Sequence, residues 1–126
     1  MAQHDWVVHK IAVYHRNIGD EVYADHYAGF PKPPTYEGIR GRPYRPDVWV
    51  ENKGLVYEVE PYFTLKNSLS QVKAFCRDPD VKDVVVVTCS GTDRGIQRLE
   101  SLLDRKNVDA FIINWRDLFE ELGISW

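Results

Sequence analysis

The sequence predicts an α/β fold with a mixed central β-sheet, an antiparallel hairpin plus parallel strands, flanked by helices. Two strand-like segments, residues 47–51 and 55–60, enclose Asn52-Lys53-Gly54, and short strands around a glycine-containing turn are typical of a β-hairpin. Two continuously apolar segments, residues 84–87 and 110–113, have the composition of buried parallel strands. Antiparallel strands followed by alternating strands and helices indicate a mixed sheet with helices on both faces.

The first third of the chain predicts one helix, one strand and a long loop. Apolar residues recur at helical spacing through residues 5–18, and Gly19 is a plausible stop for that helix. Residues 20–27 have the composition of a strand. Residues 29–46 are rich in glycine and proline, which excludes a helix and a central strand there. Long loops in compact domains are often functional.

The remaining helices follow from apolar spacing and from their end signals. Residues 67–76 and 93–105 each place apolar side chains on one side of a helix. Residues 115–122 predict a last helix, and Gly123 is a natural residue to end it. These helices alternate with the apolar strands, as expected for parallel connections.

The whole chain has the character of one soluble domain spanning residues 1–126. No apolar run is long enough to cross a membrane, and the N-terminus lacks a signal-peptide pattern, so we expect a cytoplasmic protein. Cys76 and Cys89 are far apart, which favours free thiols. The net charge of −3 gives no global attraction to nucleic acid, but residues 31–46 carry four basic residues against one acidic residue.

Three acidic residues of the predicted hairpin fall on one face of the sheet. Period-two alternation places Asp47 on one face of its strand, and Glu58 and Glu60 on one face of the next. A two-residue turn at Lys53-Gly54 would set Asp47 opposite Glu60, with Glu58 diagonal to Asp47. Such carboxylates repel one another unless they are protonated, solvated or neutralised by a hard cation such as Mg²⁺ or Mn²⁺. The other interpretation is an ordinary solvated strand face.

These residues also resemble a known family. Pro46-Asp47, the hairpin, and then Glu58-Val59-Glu60 resemble the core of the PD-(D/E)XK nuclease superfamily. Gln71 and Phe75 on the next helix resemble the QxxxY element of its RecB-like branch. The resemblance covers about residues 5–115, and the chain length is similar to that of small Holliday-junction resolvases.

The resemblance implies a metal-dependent endonuclease that acts on DNA phosphodiester bonds. Asp47 and Glu58 would then bind Mg²⁺, Glu60 would hold a second metal or orient water, and Gln71 would position water or phosphate. Nucleases of this size often form homodimers to cut two strands, so a homodimer is an expectation as well.

One departure from the family concerns its third motif residue, which is usually lysine and here is Glu60. Some members with glutamate at this position cleave DNA, and others with degraded motifs are inactive. Lys66 is the nearest candidate replacement, whereas Lys73 lies on another side of its predicted helix from Gln71. A catalytically inactive nuclease-fold module for DNA binding or assembly is therefore the alternative.

Two further sets of residues have both a functional and an ordinary interpretation. The resemblance implies an additional acid near the first helix or strand, for which Glu21 and Asp25 are candidates; the alternative is surface charge. The long loop carries cations next to tyrosines, a composition that can grip phosphates and stack on bases, although a solvated loop explains it equally well. The cations are Lys32, Arg40, Arg42 and Arg45.

The segment Cys89–Gly95 resembles a phosphate-binding turn only superficially, because it lacks the glycine patterns of nucleotide-binding loops. A helix start capped by Thr92 or Asp93 explains it more simply. A small α/β nucleotide-binding protein that uses residues 90–95 is the third and weakest functional hypothesis.

Overall fold

A computed structural model describes residues 3–25, 29–37, 43–61 and 68–126 of the chain. The predicted class is confirmed: a five-stranded mixed sheet is flanked by four helices in this part of the chain. In chain order the elements are α1 (Gln3–Asn17), β1 (Val22–Ala24), β2 (Tyr36–Glu37), β3 (Pro43–Tyr44), β4 (Val48–Val50), β5 (Leu55–Glu60), α2 (Leu69–Arg77), β6 (Asp83–Thr88), α3 (Asp93–Arg105), β7 (Phe111–Asn114) and α4 (Trp115–Leu122).

The strand order in the main sheet is β1-β4-β5-β6-β7. β4 is antiparallel to both of its neighbours, β1 and β5, whereas β5, β6 and β7 run parallel to one another. The antiparallel hairpin therefore joins directly onto the parallel strands through β5. The carboxyl ends of β5, β6 and β7 consequently meet at one edge of the sheet, which is where open α/β sheets usually place their binding sites.

Helices cover both faces of the sheet, because alternate residues of each strand point to opposite sides. α1 and α4 pack on the first face, and α2 and α3 pack on the second. The core of the first face includes Val48, Val50, Tyr57, Val59, Ile11 and Phe119. The core of the second face includes Trp49, Val56, Val72, Phe75, Ile96 and Leu99. Glu58 lies between these layers on the second face, so its carboxylate is enclosed by the fold.

The turn of the hairpin differs from the prediction. Its register pairs Val50 with Leu55, so four residues connect the strands: a 3₁₀ turn at Glu51–Lys53 and then Gly54. Continued by one residue, this register sets Asp47 opposite Glu58. The predicted two-residue turn and the predicted pairing of Asp47 with Glu60 were therefore wrong. The observed register differs from the predicted one by two residues, which is one full period of the strand, so the acidic side chains still share a face.

Other elements follow the prediction with small changes of boundary. α3 and α4 have the predicted bounds, β1 is shorter than residues 20–27, and α2 begins at Leu69. Within residues 29–46, β2 and β3 form a small antiparallel pair, and β2 lies beside α2.

Cys76 and Cys89 are free thiols, as predicted. None of the helices described is both long and apolar enough to cross a membrane.

Candidate metal centre at the acidic hairpin

Asp47 and Glu58 form the centre of the acidic hairpin, which we define as Asp47, Glu58 and Glu60. Both carboxylates are buried, with Asp47 6% and Glu58 2% exposed. The Asp47 amide donates a hydrogen bond to Glu58 Oε1 at 3.0 Å, and the Val59 amide donates to Asp47 Oδ2 at 2.8 Å. Backbone groups of one strand therefore hold the carboxylate of the other, and the two acids are fixed side by side.

Gln71 joins this pair from the helix above it. α2 covers the second face of the sheet, and Gln71 Nε2 donates to Glu58 Oε2 at 3.0 Å. Phe75, one turn further along α2, is fully buried in the core of the same face and anchors the helix there. The structure thus brings together three residues that the sequence singled out: Asp47, Glu58 and Gln71.

Glu60 ends β5 at the carboxyl edge of the parallel strands. It pairs with Thr88 of β6, is half-buried, and its carbonyl accepts a hydrogen bond from the Cys89 amide at 3.0 Å. Its side chain shares the face of Glu58 because the two residues are two apart in one strand. Glu60 therefore stands at the sheet edge beyond the buried pair.

The buried pair is electrostatically costly without a counter-charge. Burial raises the pKa of Glu58 well above its ordinary value, and the negative charge of Asp47 raises it further. The hydrogen bond from the Asp47 amide opposes this shift in part, while the charges of Glu60 and Asp25 add to it. The site consequently favours a proton or a cation next to Glu58.

His4 is a neighbour of the acidic hairpin that the sequence did not reveal. Its Nε2 atom lies 3.3 Å from Asp47 Oδ2, and its Nδ1 atom lies 2.9 Å from Asp5 Oδ1. The hydrogen bond to Asp47 is the main reason that the pKa of His4 rises to about 9. Because 43 residues separate His4 from Asp47, no local spacing could have linked them. An imidazolium beside Asp47 now balances part of the acidic charge.

The structure separates the two candidates for an accessory acid. The Asp25 amide donates to the Asp47 carbonyl at 2.9 Å, and the charge of Asp25 contributes to the raised pKa of Glu58. Glu21 lies at the opposite end of β1, where its amide donates to Asn52 Oδ1 and its carboxylate accepts from the Tyr23 hydroxyl. Asp25 therefore belongs to the surroundings of the acidic hairpin, and Glu21 does not.

Among the basic residues of the long loop, Arg45 lies beside the acidic hairpin. Its Nη1 atom is 3.9 Å from Asp25 Oδ1, and its Nη2 atom donates to Thr35 Oγ1 at 3.4 Å. Lys32 is exposed on the same loop. The remaining predicted cations, Arg40 and Arg42, and the candidate replacement Lys66 lie outside the residues described. Lys73 borders a groove that is also lined by Arg77 and Lys106.

The turn after β6 is a helix start. Thr92 is the N-cap of α3, and its Oγ1 atom accepts a hydrogen bond from the Gly95 amide at 3.2 Å. The predicted capping interaction is confirmed. This bond satisfies one of the amide donors at the helix start, so the composition of the turn has a structural reason.

The donor set suits Mg²⁺ or Mn²⁺ as a partly solvated ion. Within the described ranges, no three His, Cys, Asp or Glu residues are arranged as a ready-made metal cluster. Mg²⁺, however, is usually held by one or two carboxylates, with waters and substrate phosphates as its other ligands. Asp47 and Glu58 provide two such carboxylates on rigid strands, and their mutual repulsion favours a cation.

Comparison with other proteins adds no relative. No family model, curated protein or solved structure significantly matches this chain. The resemblance to PD-(D/E)XK nucleases therefore stays a prediction from short motifs, and functional inference depends on the geometry of the acidic hairpin.

Proposed function

We propose that this protein is a metal-dependent, endonuclease-like protein that acts on DNA phosphodiester bonds in the cytoplasm. One observation carries the proposal: Asp47 lies opposite Glu58, and Gln71 binds Glu58 from the covering helix. This arrangement combines the acids and the helix residue that the motif resemblance paired. Its position on the hairpin adjoining the parallel strands supports a site rather than a solvated strand face.

Asp47 and Glu58 would hold Mg²⁺ or Mn²⁺, and the cation would replace the proton that the buried pair otherwise favours. Such a metal ion lowers the pKa of bound water and neutralises negative charge on a phosphate. The hydrogen bond from Gln71 fixes the orientation of the Glu58 carboxylate. Groups that orient a ligand in this way typically change metal affinity about 10–100-fold when removed.

Other residues would contribute around this pair. Glu60, at the end of β5, would orient water or help to hold a second metal ion. His4 and Arg45 supply positive charge beside an acidic site, which reduces repulsion of a DNA phosphate. Asp25, whose amide donates to the Asp47 carbonyl, would be the accessory acid. A homodimer would present two such sites to two strands.

The alternative is a nuclease-fold module without catalysis that binds DNA or assists assembly. Glu60 occupies the position of the family lysine, and this substitution favours lost activity. In addition, Asp47 and Glu58 each accept a hydrogen bond from a backbone amide, so both acids have a structural role that does not require metal. Measurements of metal affinity and of DNA cleavage distinguish the two functions.

The experiment measures thermal unfolding with increasing Mn²⁺ for the wild type and for Asp47→Asn and Glu58→Gln. The amide side chains remove charge but keep an oxygen that can accept the backbone hydrogen bonds. Saturation at 100 times the dissociation constant would stabilise the wild type by about 2.7 kcal/mol. We expect both variants to lose this stabilisation, whereas Glu120→Gln, an exposed acid on α4, keeps it.

Cleavage of supercoiled plasmid with Mg²⁺ or Mn²⁺ then tests the activity. Loss of cleavage in Asp47→Ala, with retained folding, is the expected result. Unchanged metal-dependent cleavage in that variant would contradict the proposal. Metal affinity that depends on Asp47 and Glu58, without cleavage, would favour the binding module, and sedimentation of the wild type would test the homodimer.

A further inference from the structure

β7 is an edge strand in the part of the sheet that the structure describes. Its one strand neighbour there is β6, which it pairs in parallel over Phe111–Asn114. An edge strand directs amide and carbonyl groups away from the sheet, and these groups can bind another extended chain. α3 packs beside β7 on one face and α4 on the other, so the edge forms the floor of a groove.

This groove, which we call the β7 groove, has a volume of about 410 Å³. Phe111 lies on its floor with 56% of its surface exposed. Among the described residues that line it there are four carboxylates and no lysine or arginine. The carboxylates are Asp93 and Glu100 on α3 and Asp117 and Glu121 on α4.

We propose that the β7 groove binds an extended, lysine- or arginine-bearing segment of a partner protein, which adds to the sheet as a strand next to β7. Main-chain hydrogen bonds to the strand edge would give such a complex its direction and register. Cationic side chains on either face of the segment would meet the carboxylates of the helix that covers that face, those of α3 or those of α4, because alternate residues of a strand point to opposite faces. An apolar residue of the segment would cover Phe111.

Charge selects this occupant over two others. A second copy that paired its own β7 here would bring the same four carboxylates against these four, and like charges in close contact cost several kcal/mol. A nucleic acid would place phosphates against the same walls. A cationic strand is therefore the occupant that the groove complements, and the residues that line this groove are distinct from the acidic hairpin.

The test uses the full chain and a fluorescent peptide with the repeating sequence Lys-Val, capped at both ends. We expect saturable binding by anisotropy, together with slower hydrogen exchange of those amides within Phe111–Asn114 that point away from β6. A Glu-Val peptide of the same length should not bind. A Lys-Val peptide with alternate amides N-methylated should lose at least about tenfold in affinity, because strand addition needs those donors.

The double variant Asp117→Asn/Glu121→Gln should weaken binding of the Lys-Val peptide about tenfold, while the neighbouring Glu120→Gln should not. Failure of the Lys-Val peptide to bind, or binding that N-methylation leaves unchanged, would overturn strand addition. A wild-type dimer that the Asp117→Asn/Glu121→Gln variant strengthens would assign the edge to a second copy instead. The metal titration of the acidic hairpin should be the same with and without peptide.

Discussion

At the scale of single residues, the side chains of the candidate site were predictable where a short period controls them. Asp47, Glu58 and Glu60 share a face because strands alternate, and Gln71 reaches Glu58 because the next helix covers that face. His4 was not predictable, since its contact with Asp47 depends on how α1 packs against the whole sheet. When only tertiary packing brings two side chains together, the sequence contains no spacing pattern that predicts their contact.

A second buried polar network, at the far end of α1, shows the same limit. His15 Nδ1 donates to Asp20 Oδ2 at 2.8 Å, and the Tyr57 hydroxyl donates to His15 Nε2 at 2.8 Å. Lys53 and Asn52 also bind the Asp20 carboxylate, at 2.9 Å each. Burial opposes ionisation of Asp20, but hydrogen bonds from Asn52, His15 and Lys53 outweigh it and hold its pKa well below the ordinary range. The network connects α1 to the hairpin turn.

We expect His15 to make the protein less stable as the pH falls below about 6.5. Burial lowers the pKa of His15, so the unfolded state takes up a proton at a higher pH than the folded state. The free energy of unfolding then falls with decreasing pH by at most about 1.4 kcal/mol per pH unit from this one group. Denaturant unfolding between about pH 7.5 and about pH 5.5 measures the slope.

The matched variant is His15→Gln, whose amide can still bond to Asp20 and Tyr57 but does not titrate. Its slope should be smaller than that of the wild type over the same range, because the other titrating groups are common to both proteins. Equal slopes would show that His15 does not resist protonation in the folded state.

At the scale of elements, the hairpin turn decided which acids face each other. The pattern of alternation correctly predicted the shared face, but the length of the turn is set by contacts beyond the hairpin. Gly54 has a φ of 60°, and its carbonyl accepts the amides of Lys82 at 2.7 Å and Asp83 at 3.2 Å. The segment that precedes β6 therefore helps to fix the four-residue connection, and this contact could not be predicted from the local sequence.

Gly54→Ala should destabilise the protein more than Gly123→Ala. A methyl group at Gly54 would come within 2.9 Å of the Asp80 carbonyl, and at Gly123 it would meet no heavy atom within 4 Å. Both positions have positive φ, which costs about 1–2 kcal/mol for a residue other than glycine. We expect a further loss at Gly54 of about 1–3 kcal/mol from the clash.

Equilibrium denaturation of both variants gives the comparison. Similar destabilisation by the two substitutions would show that the segment before β6 yields to the methyl group, and that Gly54 is required for its φ alone.

Element boundaries were predictable where a capping group marks them. α3 begins after Thr92 and α4 ends before Gly123, and both signals are local. α4 also begins at an N-cap, Asn114, whose side chain accepts from the Arg116 amide. In contrast, β2 and β3 are two residues long, which is too short for a period of two to appear.

At the scale of the whole molecule, the net charge is negative, and the charged side chains are distributed unevenly over the surface. Carboxylates line the β7 groove, whereas Lys73, Arg77 and Lys106 border a groove of about 380 Å³. That basic groove lies at the carboxyl end of α2, and Gln71, which contacts Glu58, is near the amino end of the same helix. Among the described residues, positive charge therefore borders both the acidic hairpin, at Arg45, and the groove at Lys73.

The proposed function requires DNA to bind at the surface around Arg45, beside the acidic hairpin. Each phosphate that a cation neutralises adds about −0.9 to the slope of log affinity against log salt concentration. Arg45→Ala should therefore make that slope less steep by about one unit and weaken binding similarly for all sequences. Lys106→Ala, at the other basic surface, should leave the slope unchanged. Fluorescence anisotropy with duplex DNA at several salt concentrations measures both, and a slope that changes with Lys106 but not with Arg45 would place DNA away from the acidic hairpin.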